Sequence, residues 1–246
     1  MNPTTYRNPP HLAAIYGVLL LGMLTYGLFF FDEAPRYIMV WMIVFSPVLL
    51  FLLCRLLINL LRRAEVHDDH IRYRGLFGSK TFTFSPEMQL YIARGLYRCL
   101  VVFRPQWTTI RLYDADGNRL RIALHWQAAE EIVEAIEAYQ IRHSLPALQR
   151  AFAAGEEIEF GWIACSEDEI RKKDKIVSIE GDNRCDIANG DFSVRKRKAD
   201  GSRAWRPLLS VPCQKIANLR LMCRLYGWEV DLSEIARRDY TPPFAF

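Results

Sequence analysis

Four consecutive residues carry the side chains that most often hold metal ions. They are His67, Asp68, Asp69 and His70, and imidazole and carboxylate groups are ordinary zinc ligands. The sequence offers no evident third and fourth ligand, and the matching stretch at residues 166–169 contains no histidine. We therefore predict no metal and no cofactor, keep His67 and His70 as the candidates for a metal site, and interpret the stretch as a polar turn.

Basic residues flank the first predicted hairpin turn. Arg72 and Arg74 precede residues 75–78, and Lys80 follows them. Several cations around one loop can hold a phosphate group, which makes these three the candidate contacts for an anionic lipid headgroup. The alternation with Ile71 and Tyr73 is equally typical of an ordinary strand with a solvated face.

A second basic cluster consists of Arg195, Lys196, Arg197 and Lys198. The chain has a net charge of +4, and most of that excess lies in residues 1–63. The remainder is nearly neutral, so we predict no nucleic-acid partner. We interpret the cluster as the solvated arm of a hairpin that turns at Asp200-Gly201.

The sequence lacks the signatures of the common catalytic sites. It contains no P-loop, no Rossmann glycine pattern, no HExxH and no GxSxG. Cys99, Cys185 and Cys223 fall on predicted strand or helix faces, where a free thiol usually fills the core. His125 lies between a predicted strand and helix without a serine or cysteine signature. We predict that the protein is not an enzyme.

The N-terminal quarter contains two long uncharged runs, at residues 12–31 and 37–54, and the apolar pattern of the second continues past Arg55 to residue 61. They predict helices at about residues 12–31 and 37–61. Each run is long enough for a hydrocarbon core of about 30 Å. We expect residues 1–63 to form a two-helix transmembrane anchor, with Arg55, Arg62 and Arg63 at the membrane interface. The distribution of Lys and Arg then places both termini in the cytoplasm of a bacterial cell, as in a multi-pass inner-membrane protein.

Three short sequence matches recur in the same order after residue 63. Residues 69–72 match 168–171, residues 92–95 match 187–190, and residues 115–119 match 199–203. In each copy, predicted strands flank an Asp-Gly hairpin turn and precede an amphipathic helix. The helix covers about residues 127–143 in the first copy and begins at Pro212 in the second. We predict modules at 64–155 (with a helical linker) and 156–232, and a tail at 233–246.

Strands followed by one terminal helix resemble the pleckstrin-homology-like (PH-like) superfold. The stretch from Asn189-Gly190 to Ala217-Asn218-Leu219 is most similar to the closing hairpin and helix of the bacterial membrane-anchored PH-like families of unknown function. The resemblance implies an α+β fold in which a transmembrane helical hairpin precedes two PH-like modules. Each module would be an antiparallel bent sheet or partly open barrel capped by a helix.

The resemblance also implies a binding role without shared catalytic residues. We expect a non-catalytic inner-membrane protein, with the lipid bilayer as one partner. Its modules would bind a membrane-proximal protein, a peptide or an anionic phospholipid headgroup. The alternatives are a metal-dependent enzyme or regulator that uses His67, Asp69 and His70, and an accessory protein of toxin immunity or envelope stress.

Overall fold

A computed structural model describes the backbone of most of the chain. The described residues are 4–8, 10–33, 38–75, 78–96, 106–179, 183–196, 206–228 and 236–237. Side chains are described for these residues except 12, 30–33, 38–45, 95–96, 106–107, 125–127, 184 and 236–237. The chain divides into two compact units, one formed by Met1–His67 and Ile71–Thr81, the other by Asp68–His70 and Phe82–Phe246.

The first unit contains two helices and a four-stranded sheet. Its elements are β1 (Thr4–Arg7), α1 (Pro10–Glu33), α2 (Ile38–Leu61), β2 (Arg63–Val66), β3 (His70–Gly75) and β4 (Gly78–Thr83). The first residue of β3 and the last two residues of β4 are assigned to the second unit. The strand order is β1-β2-β3-β4, with β2 antiparallel to both β1 and β3. Both predicted N-terminal helices are therefore present close to their predicted bounds, and they pack against each other.

The prediction that these helices cross a membrane is wrong. A membrane span needs about 20 predominantly apolar residues in one helix. Within the described ranges, no helix combines that length with sufficient apolar character. The transmembrane anchor at residues 1–63, the multi-pass inner-membrane location and the cytoplasmic placement of both termini are corrected accordingly.

The alternation of side chains in β2 and β3 explains how the first sheet is oriented. Ala64, Val66 and Ile71 are buried on one face. Because successive side chains of a strand point to opposite faces, the charged residues between them share the other face. This charged face carries the candidate site described below.

The second unit contains three small sheets. The first sheet holds β5 (Gln89–Leu96), β6 (Gln106–Tyr113) and β7 (Arg119–His125), joined by β15 (Ala236–Arg237) in the order β15-β5-β6-β7. Strands β5, β6 and β7 are antiparallel, and β15 runs parallel to β5. Helix α3 (Trp126–His143) contacts β6 and β7, and its buried stripe includes Ala129, Ile132, Val133 and Ile136.

The other two sheets follow α4 (Leu145–Ala153) in the chain. One has the order β11-β10-β9-β8 and the other the order β12-β13-β14, and both are antiparallel. Their strands are β8 (Ile158–Phe160), β9 (Ile163–Cys165), β10 (Glu169–Lys172), β11 (Lys175–Ser178), β12 (Asn183–Ala188), β13 (Asp191–Lys196) and β14 (Leu209–Pro212). A 3-10 turn, Cys213–Lys215, then leads to α5 (Leu219–Leu225).

The predicted α+β class with antiparallel sheets is confirmed. The predicted start of the last helix at Pro212 is wrong, because residues 213–215 form the 3-10 turn and α5 begins only at Leu219. The predicted strand at residues 99–103, together with Cys99, lies outside the described residues. The module boundaries at 64–155, 156–232 and 233–246 stay a prediction.

A close backbone contact locks the β8–β9 turn to the segment before α5. Gly161 has φ +72°. On one side of it, Phe160 O accepts a hydrogen bond from Ala217 N at 3.1 Å, and on the other side Trp162 N donates one to Lys215 O at 3.1 Å. A Cβ atom at Gly161 would lie 2.7 Å from Lys215 O. Glycine is therefore required here by both its dihedral angle and the available space.

A charged pair lies between α3 and α5. Glu137 Oε2 is 2.7 Å from Arg220 Nη1, and the Glu137 side chain is 8% exposed. Burial raises the pKa of Glu137 to about 7, against the opposing effect of Arg220 and Arg224 and with a smaller contribution from Glu134. Desolvation thus outweighs the attraction of the neighbouring guanidinium groups.

Candidate anion-binding site

Three arginines lie side by side across the first sheet. The strand register pairs Arg7 with Arg63 and Arg63 with Arg74. Residues directly opposite each other in antiparallel strands point to the same face, and like charges in such positions destabilise the sheet. The next row on this face pairs Thr5 with Glu65 and Glu65 with Arg72. The face therefore concentrates positive charge around a single carboxylate in these two rows.

A cavity of about 320 Å³ opens on this face. The described residues that line it are Arg63, Glu65, Arg72, Arg74, Gly78 and Ser79. Three guanidinium groups and one carboxylate leave an excess of two positive charges in the lining. Guanidinium groups present planar pairs of donors that match phosphate and carboxylate oxygens.

Glu65 and Arg63 form an ion pair inside this cavity. Arg63 Nε lies 3.2 Å from Glu65 Oε1. The pair does not have hydrogen-bond geometry, because the buried Nε has no hydrogen-bond partner in the part of the chain that the structure describes. Glu65 therefore neutralises part of the positive charge of the cavity through an ion pair with Arg63.

The sequence-predicted headgroup contacts are only partly brought together. Arg72 and Arg74 are exposed on β3 and line the cavity. Lys80 is exposed on β4 and is not among the described lining residues. Sequence analysis missed Glu65, Ser79 and the row formed with Arg7. Arg63 was instead assigned to a membrane interface.

The other two arginines of that assignment lie on or next to α2. Arg55 is exposed, and its guanidinium carbon is 5.2 Å from the centre of the Phe51 ring. Arg62 follows the helix, and its backbone amide donates to Ile58 O. Their proposed role at a membrane interface loses its basis with the transmembrane hairpin.

The second basic cluster is described only in its first half. Arg195 and Lys196 end β13, whereas Arg197 and Lys198 lie outside the described residues. Arg195 is half-buried, donates to Ser193 Oγ at 3.2 Å and lies 3.8 Å from Asp186 Oδ2. Arg195 is thus engaged within its own sheet and does not extend freely into solvent as an arm.

The histidine-rich stretch has a local arrangement. His70 Nδ1 lies 2.6 Å from Asp69 Oδ1, and His67 is half-buried. Among the residues that the structure describes, no group of three or more His, Cys, Asp or Glu side chains is arranged to hold a metal ion. The side chain of His125 is outside the described side chains.

Of the described cysteines in the second unit, Cys185 is half-buried, and the others, Cys165, Cys213 and Cys223, are buried. Burial raises the pKa of Cys165, Cys185 and Cys213 to about 12, and it also raises the pKa of Cys223. A thiol is nucleophilic as the thiolate, so burial disfavours the reactive form of these groups. The absence of catalysis nevertheless stays a prediction.

Comparison with known proteins identifies the family of the chain but not its activity. No curated protein and no solved structure matches it. The model of a family of unknown function, DUF6585, matches residues 6–232, which extend from within β1 to beyond α5. The chain belongs to this family of unknown function, DUF6585.

Proposed function

We propose that the protein is a non-catalytic binding module whose arginine-lined cavity takes a phosphate-bearing ligand. The observation that carries the proposal is the row of Arg7, Arg63 and Arg74 across three adjacent strands. A row of like charges costs stability in the unliganded sheet. An anion bound over the row would attract all three guanidinium groups and offset their mutual repulsion. Anion binding would therefore explain why the three arginines lie together.

The size of the cavity favours a ligand larger than one inorganic phosphate. A volume of about 320 Å³ is at the lower end of the range for small-molecule sites. A diphosphate or a phosphorylated headgroup would satisfy both the volume and the excess of two positive charges. The Ser79 hydroxyl adds a neutral donor at the rim.

The order of elements supports a PH-like origin for such a site. One stretch of the chain runs through strands β2 to β7 and ends with helix α3. A later stretch runs through strands β8 to β14 and ends with helix α5. We propose that both stretches are PH-like modules. On this hypothesis the cavity lies at the first hairpin of the first module, where phosphoinositide-binding PH domains place basic residues.

Titration calorimetry of the full chain with pyrophosphate tests the site. We expect Arg72→Ala with Arg74→Ala to weaken binding at least about tenfold, equivalent to 1.4 kcal/mol. Lys80→Ala is the control, since it removes one positive charge from the neighbouring strand outside the described lining, and it should retain nearly full affinity. Equal losses in both variants, or no loss in the double variant, would contradict a specific cavity.

The role of Glu65 provides a test in the opposite direction. Glu65→Gln removes the carboxylate that competes with an anion for Arg63. A unit charge at about 4 Å contributes about 1 kcal/mol in bulk water, so for this solvent-open cavity we expect about threefold to tenfold tighter binding. Unchanged or weaker binding would show that Glu65 only positions Arg63. Flotation with phosphatidylcholine vesicles, with or without phosphatidic acid, then distinguishes a lipid headgroup from a free phosphate compound as the source of the ligand.

A further inference from the structure

A second binding surface lies in the other unit, at the outer edge of β5. One side of β5 pairs with β6 along its full length, from Gln89–Tyr113 to Leu96–Gln106. On the opposite side, Leu90 N donates to Asn218 Oδ1 at 2.7 Å, and Leu90 O accepts from Asn218 N at 2.7 Å. Asn218 therefore bonds to this edge as a residue of a neighbouring strand would.

The direction of the remaining backbone groups follows from Leu90. Alternate residues of a strand in an antiparallel sheet direct their amide and carbonyl groups to the same side. Since both groups of Leu90 face the outer edge, those of Ile92 and Arg94 face it as well. β5 thus presents a short hydrogen-bonding edge that extends beyond Asn218 toward Leu96.

The chain's own C-terminal segment occupies this edge. β15 pairs with β5 in parallel, with Ala236 opposite Arg94 and Arg237 opposite Gly95. The pairing involves two residues, and each hydrogen bond contributes about 0.5 to 1.5 kcal/mol net. Such a short strand can be displaced by a longer one that makes the same main-chain bonds.

We propose that the β5 edge is a docking site for an extended peptide that adds in parallel, and that β15 is a built-in competitor for this site. The edge of a sheet is a template for strand addition, and one added strand can replace another there. The covalently linked segment has a high effective concentration, so it keeps the edge covered until a better peptide displaces it. This proposal concerns the second unit and does not depend on the anion cavity.

A competition experiment on the full chain tests both parts of the proposal. The variant Ala236→Pro with Arg237→Pro removes the amide groups of both residues of β15, including the one that faces β5, whereas Ala236→Ser with Arg237→Lys keeps both amides as the matched control. The probe is a fluorescent peptide of residues 231–241 of this chain. We expect the proline variant to bind it at least about tenfold more tightly than the wild type or the control, because the internal competitor is gone.

Hydrogen exchange provides a second readout that does not depend on peptide affinity. In the proline variant, amide protection at residues 92–96 should fall and should return when the peptide is added, while protection of β6 and β7 stays unchanged. The same peptide carrying proline at both positions should not restore it. The proposal is overturned if the proline variant does not bind the probe, if all three proteins bind it equally, or if protection at residues 92–96 does not change.

Discussion

Replacement of Asn218 is the most direct test of how the second unit is held together. Asn218 Oδ1 accepts hydrogen bonds from Leu90 N at 2.7 Å and from Gln140 Nε2 at 2.8 Å, and its Nδ2 donates to Met88 O at 3.2 Å. One side chain therefore joins the segment before α5 to β5 and α3. Its backbone is left-handed, with φ +48°, a conformation in which asparagine is tolerated better than most residues.

The expected loss for Asn218→Ala is about 3 to 5 kcal/mol. Leu90 is 2% exposed, so removal of Oδ1 leaves its amide buried without an acceptor, which costs about 1 to 3 kcal/mol. Alanine in a left-handed conformation adds about 1 to 2 kcal/mol. The lost bond to Gln140 contributes the rest, although Gln140 Nε2 retains a longer bond to Met88 O at 3.3 Å.

Urea unfolding followed by tryptophan fluorescence measures this loss, and hydrogen exchange at Leu90 locates it. Asn218→Gly is the control for the backbone contribution, because glycine accepts the positive φ without strain. We expect Asn218→Gly to be less destabilising than Asn218→Ala by about 1 kcal/mol, with Leu90 deprotected in both variants. A stability loss below about 0.5 kcal/mol, with Leu90 still protected, would refute the reasoning.

Two further substitutions test the packing around α5. Gly161→Ala should destabilise the protein by about 3 kcal/mol, because the new Cβ meets Lys215 O at 2.7 Å in a left-handed conformation; a melting temperature equal to that of the wild type would contradict this. In the folded state the pKa of Glu137 is raised to about 7. The folded state therefore binds a proton at Glu137 more tightly than the unfolded state does. The stability that this contributes is fully present below about pH 4.5 and is lost as the pH rises toward 7. Relative to Glu137→Gln, the wild type should therefore lose up to about 3 kcal/mol between about pH 5 and pH 8 in urea unfolding, and a difference that is constant or increases with pH would exclude this.

The helix and the hairpin that were predicted correctly from the sequence depend on residues that lie close together in the chain. The three-and-four spacing of Ala129, Ile132 and Ile136 placed the third helix at about 127–143, and the structure has it at Trp126–His143. Asp116-Gly117 predicted a hairpin that β6 and β7 form. Both signals depend on residues that lie close together in the chain, so one sequence is sufficient to detect them.

Capping residues were less informative because tertiary contacts redirected them. Serine is a favoured residue at helix N-termini, and Ser144 precedes α4, but its side chain makes no capping hydrogen bond. Its hydroxyl instead donates to Pro86 O at 2.8 Å. Similarly, Asn218 bonds to a strand 128 residues away rather than to the first turn of α5. Residue type indicated a polar role in each case, but the partner depends on the fold.

The candidate binding surfaces depend on long-range pairing that no local pattern reveals. β1 reaches β2 across two complete helices, and this pairing alone places Arg7 beside Arg63. β15 reaches β5 from about 140 residues further along the chain. In both cases a short strand adds to the edge of a sheet, where pairing can be exchanged or can bring a charged side chain beside others. The two surfaces therefore depend on different groups: the cavity variants remove side-chain charges and leave the backbone donors in place, whereas the β15 variant removes backbone donors.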